Sequence, residues 1–177
     1  MSIYLKRYSK EEHGNLIYDA YCDKDDAEFF RRCPPTWNKE QCIDFEAQTG
    51  SQLYVIYDSD SHEPFAMCSL AHFCTYTLSC QVGIIVFNEF QRQKKDGQPY
   101  SKLAMMEVAD LLFLKMIFKK MKCLFLAKRK DIVSMFEHYG FTKEGEFKDE
   151  IYFNGEWHDE LEYALTKEVY VRKHKNG

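Results

Sequence analysis

The chain has 177 residues, 45% of them hydrophobic and 16% aromatic, which suits one domain around a single large core and excludes an intrinsically disordered polypeptide. Its 28 acidic residues outnumber 24 basic ones, and a net charge of −4 removes the cationic face that non-specific binding to phosphate backbones needs, so no nucleic-acid partner is expected. Seven cysteines form no CxxC pair and no even framework, which signals neither a zinc cluster nor a disulfide scaffold and points to a reducing, cytoplasmic setting.

The amino-terminal residues Met1–Arg7 lack the apolar core of a signal peptide, and no later stretch approaches roughly 18 apolar residues, so no membrane partner is expected. Ile3 to Tyr8 alternates apolar and basic residues, the period of a half-buried strand. Ser9 then caps a helix, with Glu12 three residues on as a capping box requires, and Leu16, Ile17, Ala20 and Tyr21 give its apolar side. A second helical stretch, Asp23 to Arg32, ends at Pro34-Pro35. Thr36 or Asn38 caps a third through Ile43, Phe45 and Ala47, closed by Gly50.

From Gln52 the period changes. Leu53–Tyr57, Pro64–Phe73 and Leu78–Phe87 read as three strands of an antiparallel meander, rich in β-branched and aromatic residues. Cys68, Cys74 and Cys80 share one parity and suit buried strand faces. A polar loop then carries Gln91 to Gly97, followed by an apolar, buried helix from about Tyr100 to Phe118 and a short strand, Cys123–Ala127, that should run parallel to its predecessor. The basic stretches Lys119–Lys122 and Lys128–Lys130 read as solvated ends. Ile132 to Tyr139 is a short helix stopped by Gly140. Asn154-Gly155 marks a closing hairpin between Ile151–Phe153 and Glu156–Trp157, and the tail from about residue 168 reads as peripheral.

The order β, αα, βββ, α, β, α, ββ describes an α/β (α+β) fold: a mixed, mostly antiparallel sheet with a central β-loop-α-β unit and helices on both faces, in one domain spanning 1–177. That order resembles the GNAT superfamily of N-acetyltransferases. Phe136-Glu137-His138-Tyr139-Gly140-Phe141-Thr142-Lys143-Glu144-Gly145 is similar to the family's Gly-Phe-x-x-Glu-Gly signature, and the stretch from Lys148 to Asp159 resembles the hairpin of the branch that acetylates protein amino termini.

The resemblance implies an acetyl group transferred from acetyl-CoA, as cosubstrate, to an amine on a protein or a small molecule. The strand Val82–Phe87, with Ile85, Val86 and Phe87, would pair with the pantetheine arm as an added strand. Gln91, Arg92, Lys94, Gly97, Gln98 and Tyr100, in the following loop and helix start, would hold the pyrophosphate against main-chain N–H groups and the helix dipole. Here the chain departs from the family pattern: aligned from the strand, Gln91 matches and Lys94 stands for the first loop glycine; aligned from the helix, Gly97 matches and Pro99 stands for the second small residue; the loop is about three residues longer. Arg92, Lys94 and Lys95 are then either side-chain contacts to phosphate or parts of a solvated loop.

Direct attack of an amine on the thioester needs a base and an acid. Phe136 stands where the family often has its acidic tyrosine, and Arg129 or a neighbour where it has an asparagine. Ser134 and Tyr139 are the hydroxyls that could replace the acid, and Glu89 is a candidate base. His72 in an apolar strand reads as a satisfied core residue, Asp159 as an amine-binding wall or a cross-strand ion partner, and Cys80 as a buried thiol. The alternative function is a catalytically degenerate GNAT-fold binding or assembly protein, such as a component of a viral or other complex, with exposed aromatics serving oligomer or partner contacts.

Overall fold

A computed structural model of the chain describes residues 3–22, 38–87, 90, 93–153 and 155–175. The helix expected over Asp23–Arg32 and its Pro34-Pro35 stop lie outside the described residues. In chain order the elements are β1 (Ile3–Arg7), α1 (Lys10–Cys22), α2 (Lys39–Ile43), α3 (Phe45–Thr49), β2 (Gln52–Asp58), β3 (Pro64–Cys74), β4 (Ser79–Val86), β5 (Lys94–Lys95) and β6 (Gln98–Pro99). They continue with α4 (Tyr100–Asp110), β7 (Lys120–Leu126), α5 (Lys130–Tyr139), β8 (Thr142–Phe153), β9 (Glu156–Thr166) and α6 (Lys167–His174). Seven strands form one sheet in the order β1-β2-β3-β4-β7-β9-β8, while β5 and β6 pair separately. The β1–β2, β2–β3, β7–β9 and β8–β9 pairs are antiparallel and β4–β7 is parallel, which gives the expected mixed sheet.

The chain groups into two compact units. The first takes in residues up to Ala71 together with Gly83–Asp110. Its core gathers Tyr8, Ile17, Ala20, Cys42, Phe45, Leu53, Val55, Tyr57, Met67 and Ile85, one apolar side each of the first helices and strands. The Ser9 cap forms only half of the expected box. Ser9 Oγ accepts the Glu12 N–H (3.3 Å), but Glu12 turns to Lys6 (2.5 Å), and the Ser9 N–H donates instead to His13 Nδ1 (2.9 Å). The complete reciprocal box is at α2, where Asn38 and Gln41 each accept the other's main-chain N–H.

His13 is fully buried, and the bond from Ser9 fixes Nδ1 as its acceptor, so Nε2 donates to the Tyr57 hydroxyl (2.9 Å). Burial holds its pKa below the usual imidazole range; Lys6 acts in the same direction, while Glu12, 3.7 Å away, opposes it. The unfolded chain therefore binds a proton that the fold refuses, and stability falls as pH drops below about 6.5, by at most about 1.4 kcal/mol per pH unit. Urea unfolding from pH 7 to pH 5 should show a declining midpoint that flattens in His13→Gln. Equal declines in the two proteins would remove His13 as the cause.

The second unit comprises His72–Val82 and the chain from Leu111 onward. The helix expected to reach Phe118 instead widens after Asp110 into one π turn, Leu111–Lys115, closed by a bond from the Met116 N–H to the Leu111 carbonyl (2.9 Å). The N–H groups of Lys119 and Lys120 both reach the Leu78 carbonyl, which draws the chain out of the helix and into β7. Leu112 and Phe113 stay buried while Leu114 and Ile117 are left exposed. The tail is not peripheral: from Lys167 it forms α6, whose Tyr170 is fully buried against Phe113. Gly140 ends α5 at φ 95°, where a Cβ would lie 3.0 Å from Val169 of α6, so this stop admits no side chain without movement.

Candidate cofactor site

The parallel ladder between β4 and β7 consists of Ser79, Cys80 and Gln81 opposite Lys120, Met121 and Lys122. Among the described residues it ends there, although β4 runs on to Val86. Ile85 is a core residue and Phe87 packs against the same core. The Phe87 N–H returns to the Phe65 carbonyl of β3 (2.9 Å).

The connection from β4 to α4 is anchored at both ends. Phe90 donates its N–H to the Phe87 carbonyl (2.8 Å) and buries its ring beside Phe65 and Tyr100, with centroids 6.1 and 5.1 Å away. Where the sequence reads as a polar loop, Lys94–Lys95 instead pairs with Gln98–Pro99 as the hairpin β5–β6. Its two turn residues, Asp96 and Gly97, have φ of 51° and 77°, the positive values that a two-residue hairpin of this hand requires. Gly97 thus forms a turn, and Gln98 pairs with Lys95 across the hairpin while accepting a bond from Lys102 Nζ.

Lys95 does not project toward solvent as a phosphate-binding cation would. Its ammonium is ion-paired to Asp58 and to Asp60 (2.7 Å), and Tyr100, at the first position of α4, donates its hydroxyl to the other Asp58 oxygen (2.9 Å). Burial by itself raises the Asp58 carboxyl, but bonds from Lys95, the Asp60 N–H and Tyr100 outweigh it and bring the pKa down to about 2. Burial likewise lowers the Lys95 ammonium, and its two carboxylate partners more than reverse that, so it stays charged. Lys94 is exposed. Glu89, Gln91 and Arg92 lie outside the described residues.

The hydroxyl candidates sit on α5 in the second unit. Ser134 Oγ donates back to the Lys130 carbonyl (3.1 Å), a bond internal to the helix. Tyr139 is buried, and burial pushes its phenol up. Phe136 is held in an aromatic cluster with Phe141, Phe125 and Tyr163 at 4.4, 4.9 and 6.3 Å. Arg129 makes two bonds to Asp131 (2.9 and 2.7 Å). His72, expected in the core, is exposed, with φ 49°. Asp159 accepts from Lys148 (2.7 Å) and from the Asp149 N–H (3.0 Å), which closes a bulge in β8 and answers its charge within the hairpin. Cys68 and Cys80 are buried as expected, and Cys74 is partly exposed.

Two groups escaped the sequence reading. Asp58 falls between two predicted strands with nothing to single it out, yet it is the carboxylate to which the hairpin is fastened. Tyr163, on β9, donates its hydroxyl to Glu137 of α5 (3.0 Å) and is raised by burial first and by that bond second. Both interactions join residues far apart in the chain, and no local spacing marks them.

No protein-family model and no curated protein matches the chain in sequence. Solved structures do match in shape. A spermidine N-acetyltransferase from Vibrio cholerae, in complex with CoA and spermine, superposes with a TM-score of 0.83 at 14% identity, over 96% of this chain and 98% of that one. A chimera of that enzyme with hSSAT gives a TM-score of 0.83 at 14% identity, over 98% and 100%. A dodecameric form of the Vibrio cholerae enzyme gives 0.78 at 14% identity, over 98% of each chain. At such identities the likeness is one of fold, and the fold is that of the GNAT N-acetyltransferases.

Proposed function

We propose that this GNAT-fold chain is a CoA-dependent N-acetyltransferase that moves an acetyl group from acetyl-CoA to an amine of a small molecule or a protein. The observation that carries the reading is the near full-length likeness to an enzyme crystallised with both CoA and the polyamine spermine. The strand β4 is the segment along which the pantetheine amides would pair in the manner of an added strand. The hairpin β5–β6 and the start of α4 are the segment assigned to the pyrophosphate, where main-chain N–H groups at the helix start favour an anion. The reading expects a cytoplasmic protein whose cysteines stay reduced.

In the proposed reaction the neutral amine attacks the acetyl carbonyl, the C–S bond breaks, and the proton lost by the amine balances the one gained by the departing thiolate. Glu89 remains the candidate for accepting the amine proton. Protonation of the thiolate falls to a hydroxyl other than position 136, because the Phe136 ring carries no exchangeable proton. Tyr139 keeps its proton through burial, and Ser134 is turned back onto its own helix.

One observation favours a second reading, a CoA-binding or assembly module without turnover. Phe136 is not merely a missing hydroxyl but a packed member of an aromatic cluster. Tyr76, Tyr152 and Trp157 are exposed and available to a partner, and one structure of similar fold is dodecameric. Calorimetric titration with acetyl-CoA, followed by thiol-release assays with spermine and with amino-terminal peptides, tests both. The enzyme reading expects a Kd on the order of 10 µM and thiol release that depends on the amine. Binding without release establishes the module, and no heat up to about millimolar ligand removes CoA from the account altogether.

A further inference from the structure

Between β4 and α4 the chain keeps a single glycine, Gly97, of those that let a main chain approach phosphate, and its described residues are held by the rest of the protein. Three observations concern how it is held. Phe90 is buried against Phe65 and Tyr100. The turn at Asp96-Gly97 folds the inserted residues back as a hairpin. Lys95, on the first strand of that hairpin, is fastened to Asp58 and Asp60 at the end of β2, and the same Asp58 carboxylate accepts the hydroxyl of the first residue of α4. Asp58 is 4% exposed and the Lys95 side chain 11%, so this is a part of the protein's interior and not a chance surface pair.

From this we infer that Asp58 is a positioning residue for the pyrophosphate: through Lys95 and Tyr100 it fixes the hairpin and the α4 N-terminus in the one arrangement that directs main-chain N–H groups at the ligand. In this chain a side-chain clamp replaces the loop glycines of related folds. The inference rests on the CoA-binding reading above. It also specifies what Lys95 does, which the sequence left open between a phosphate contact and a solvated side chain. Lys95 acts on the protein, not on the ligand, because its donors face two carboxylates.

The two roles of Lys95 make opposite predictions for one substitution. If Lys95 contacted phosphate directly, Asp58→Asn would release the cation and tighten CoA binding. If Asp58 positions the segment, the same change loosens the clamp and weakens it. The experiment is titration of CoA and of pantetheine, which lacks the pyrophosphate, into wild type, Asp58→Asn, Lys95→Met and Lys95→Arg, at a temperature well below each melting transition. Ligand-observed NMR reads the weaker pantetheine binding.

The expected result is a loss of about tenfold or more in CoA affinity for Asp58→Asn and Lys95→Met, little change for pantetheine, and recovery to within about threefold of wild type in Lys95→Arg, which keeps the ion pair. Should either single variant fail to fold, the double Asp58→Leu/Lys95→Met, which buries no unpaired charge, takes its place with the same expectation. A lower melting temperature with unchanged CoA affinity would reduce Asp58 to a structural role and overturn the inference. Equal weakening for CoA and pantetheine would overturn it as well, since the effect would not concern phosphate. If wild type binds neither ligand, the CoA reading itself fails, a result distinct from all of these.

Discussion

Tyr170→Ala should destabilise the protein by about 3–5 kcal/mol, the range for emptying a buried aromatic site, and lower its melting temperature by roughly 10 °C. Tyr170 is fully buried in the second unit, with its ring 5.5 Å from Phe113 and 5.3 Å from His174. The Lys175 ammonium lies over the same ring, 5.6 Å from its centroid. The surrounding contacts explain why a helix of eight residues persists at the end of the chain. Thr166 Oγ1 caps it by accepting the Val169 N–H (3.4 Å), His174 bonds the Tyr139 carbonyl (3.0 Å), and Lys173 bonds the His138 carbonyl. So short a helix has little stability of its own, and the buried ring supplies what propensity cannot. Without it the cavity borders Phe113, and α6 loses its hold on the end of α5. Urea unfolding measures the cost, and limited proteolysis should release the carboxyl-terminal segment of the variant first. A variant within about 1 kcal/mol of wild type would mean that α6 is held by its polar contacts alone.

Much of the fold was legible because its signals are local. The alternation in Ile3–Arg7, the apolar run of β3, the stop at Gly140 and the Asn-Gly hairpin each fall within a few residues, and the sheet order follows from stringing such elements together. The same kind of signal was present at Asp96-Gly97, but the apolar flanks that usually accompany it are here Lys95 and Gln98, so it read as a loop. Ser9 and Glu12 have capping-box spacing, yet Lys6 competes for Glu12 and His13 takes its place, whereas Asn38 and Gln41 complete the box unopposed. The end of the long apolar helix depends on Leu78, which receives two N–H groups from a segment some forty residues away. The candidate site suffered most from this limit. Asp58 lies 37 residues from Lys95 and 42 from Tyr100, and nothing in the composition of the β2–β3 turn distinguishes a clamp from a solvated acidic turn.

That clamp carries the second large effect. Lys95→Met is expected to cost about 3 kcal/mol or more at neutral pH, because it leaves the Asp58 carboxylate in the interior without its cation. The pH dependence identifies the cause. In the wild type the Asp58 pKa is depressed to about 2, so the stabilisation it contributes, about 2 kcal/mol, is complete above the unfolded value near 4 and is lost as pH falls from there toward 2. In Lys95→Met burial is opposed only by the Asp60 N–H and the Tyr100 hydroxyl, so the same carboxyl rises from its wild-type value and the variant loses less stability than wild type as pH falls. The difference between the two proteins should therefore be largest near pH 7 and shrink steadily toward pH 3. The double Asp58→Leu/Lys95→Met, with no charge to bury, should regain part of the loss at neutral pH and show neither trend. Urea unfolding of the three proteins at pH 7, 5 and 3 separates the cases. A difference that stays constant across that range would place the effect in lost packing of the lysine stem against the hairpin, with the ion pair contributing nothing measurable.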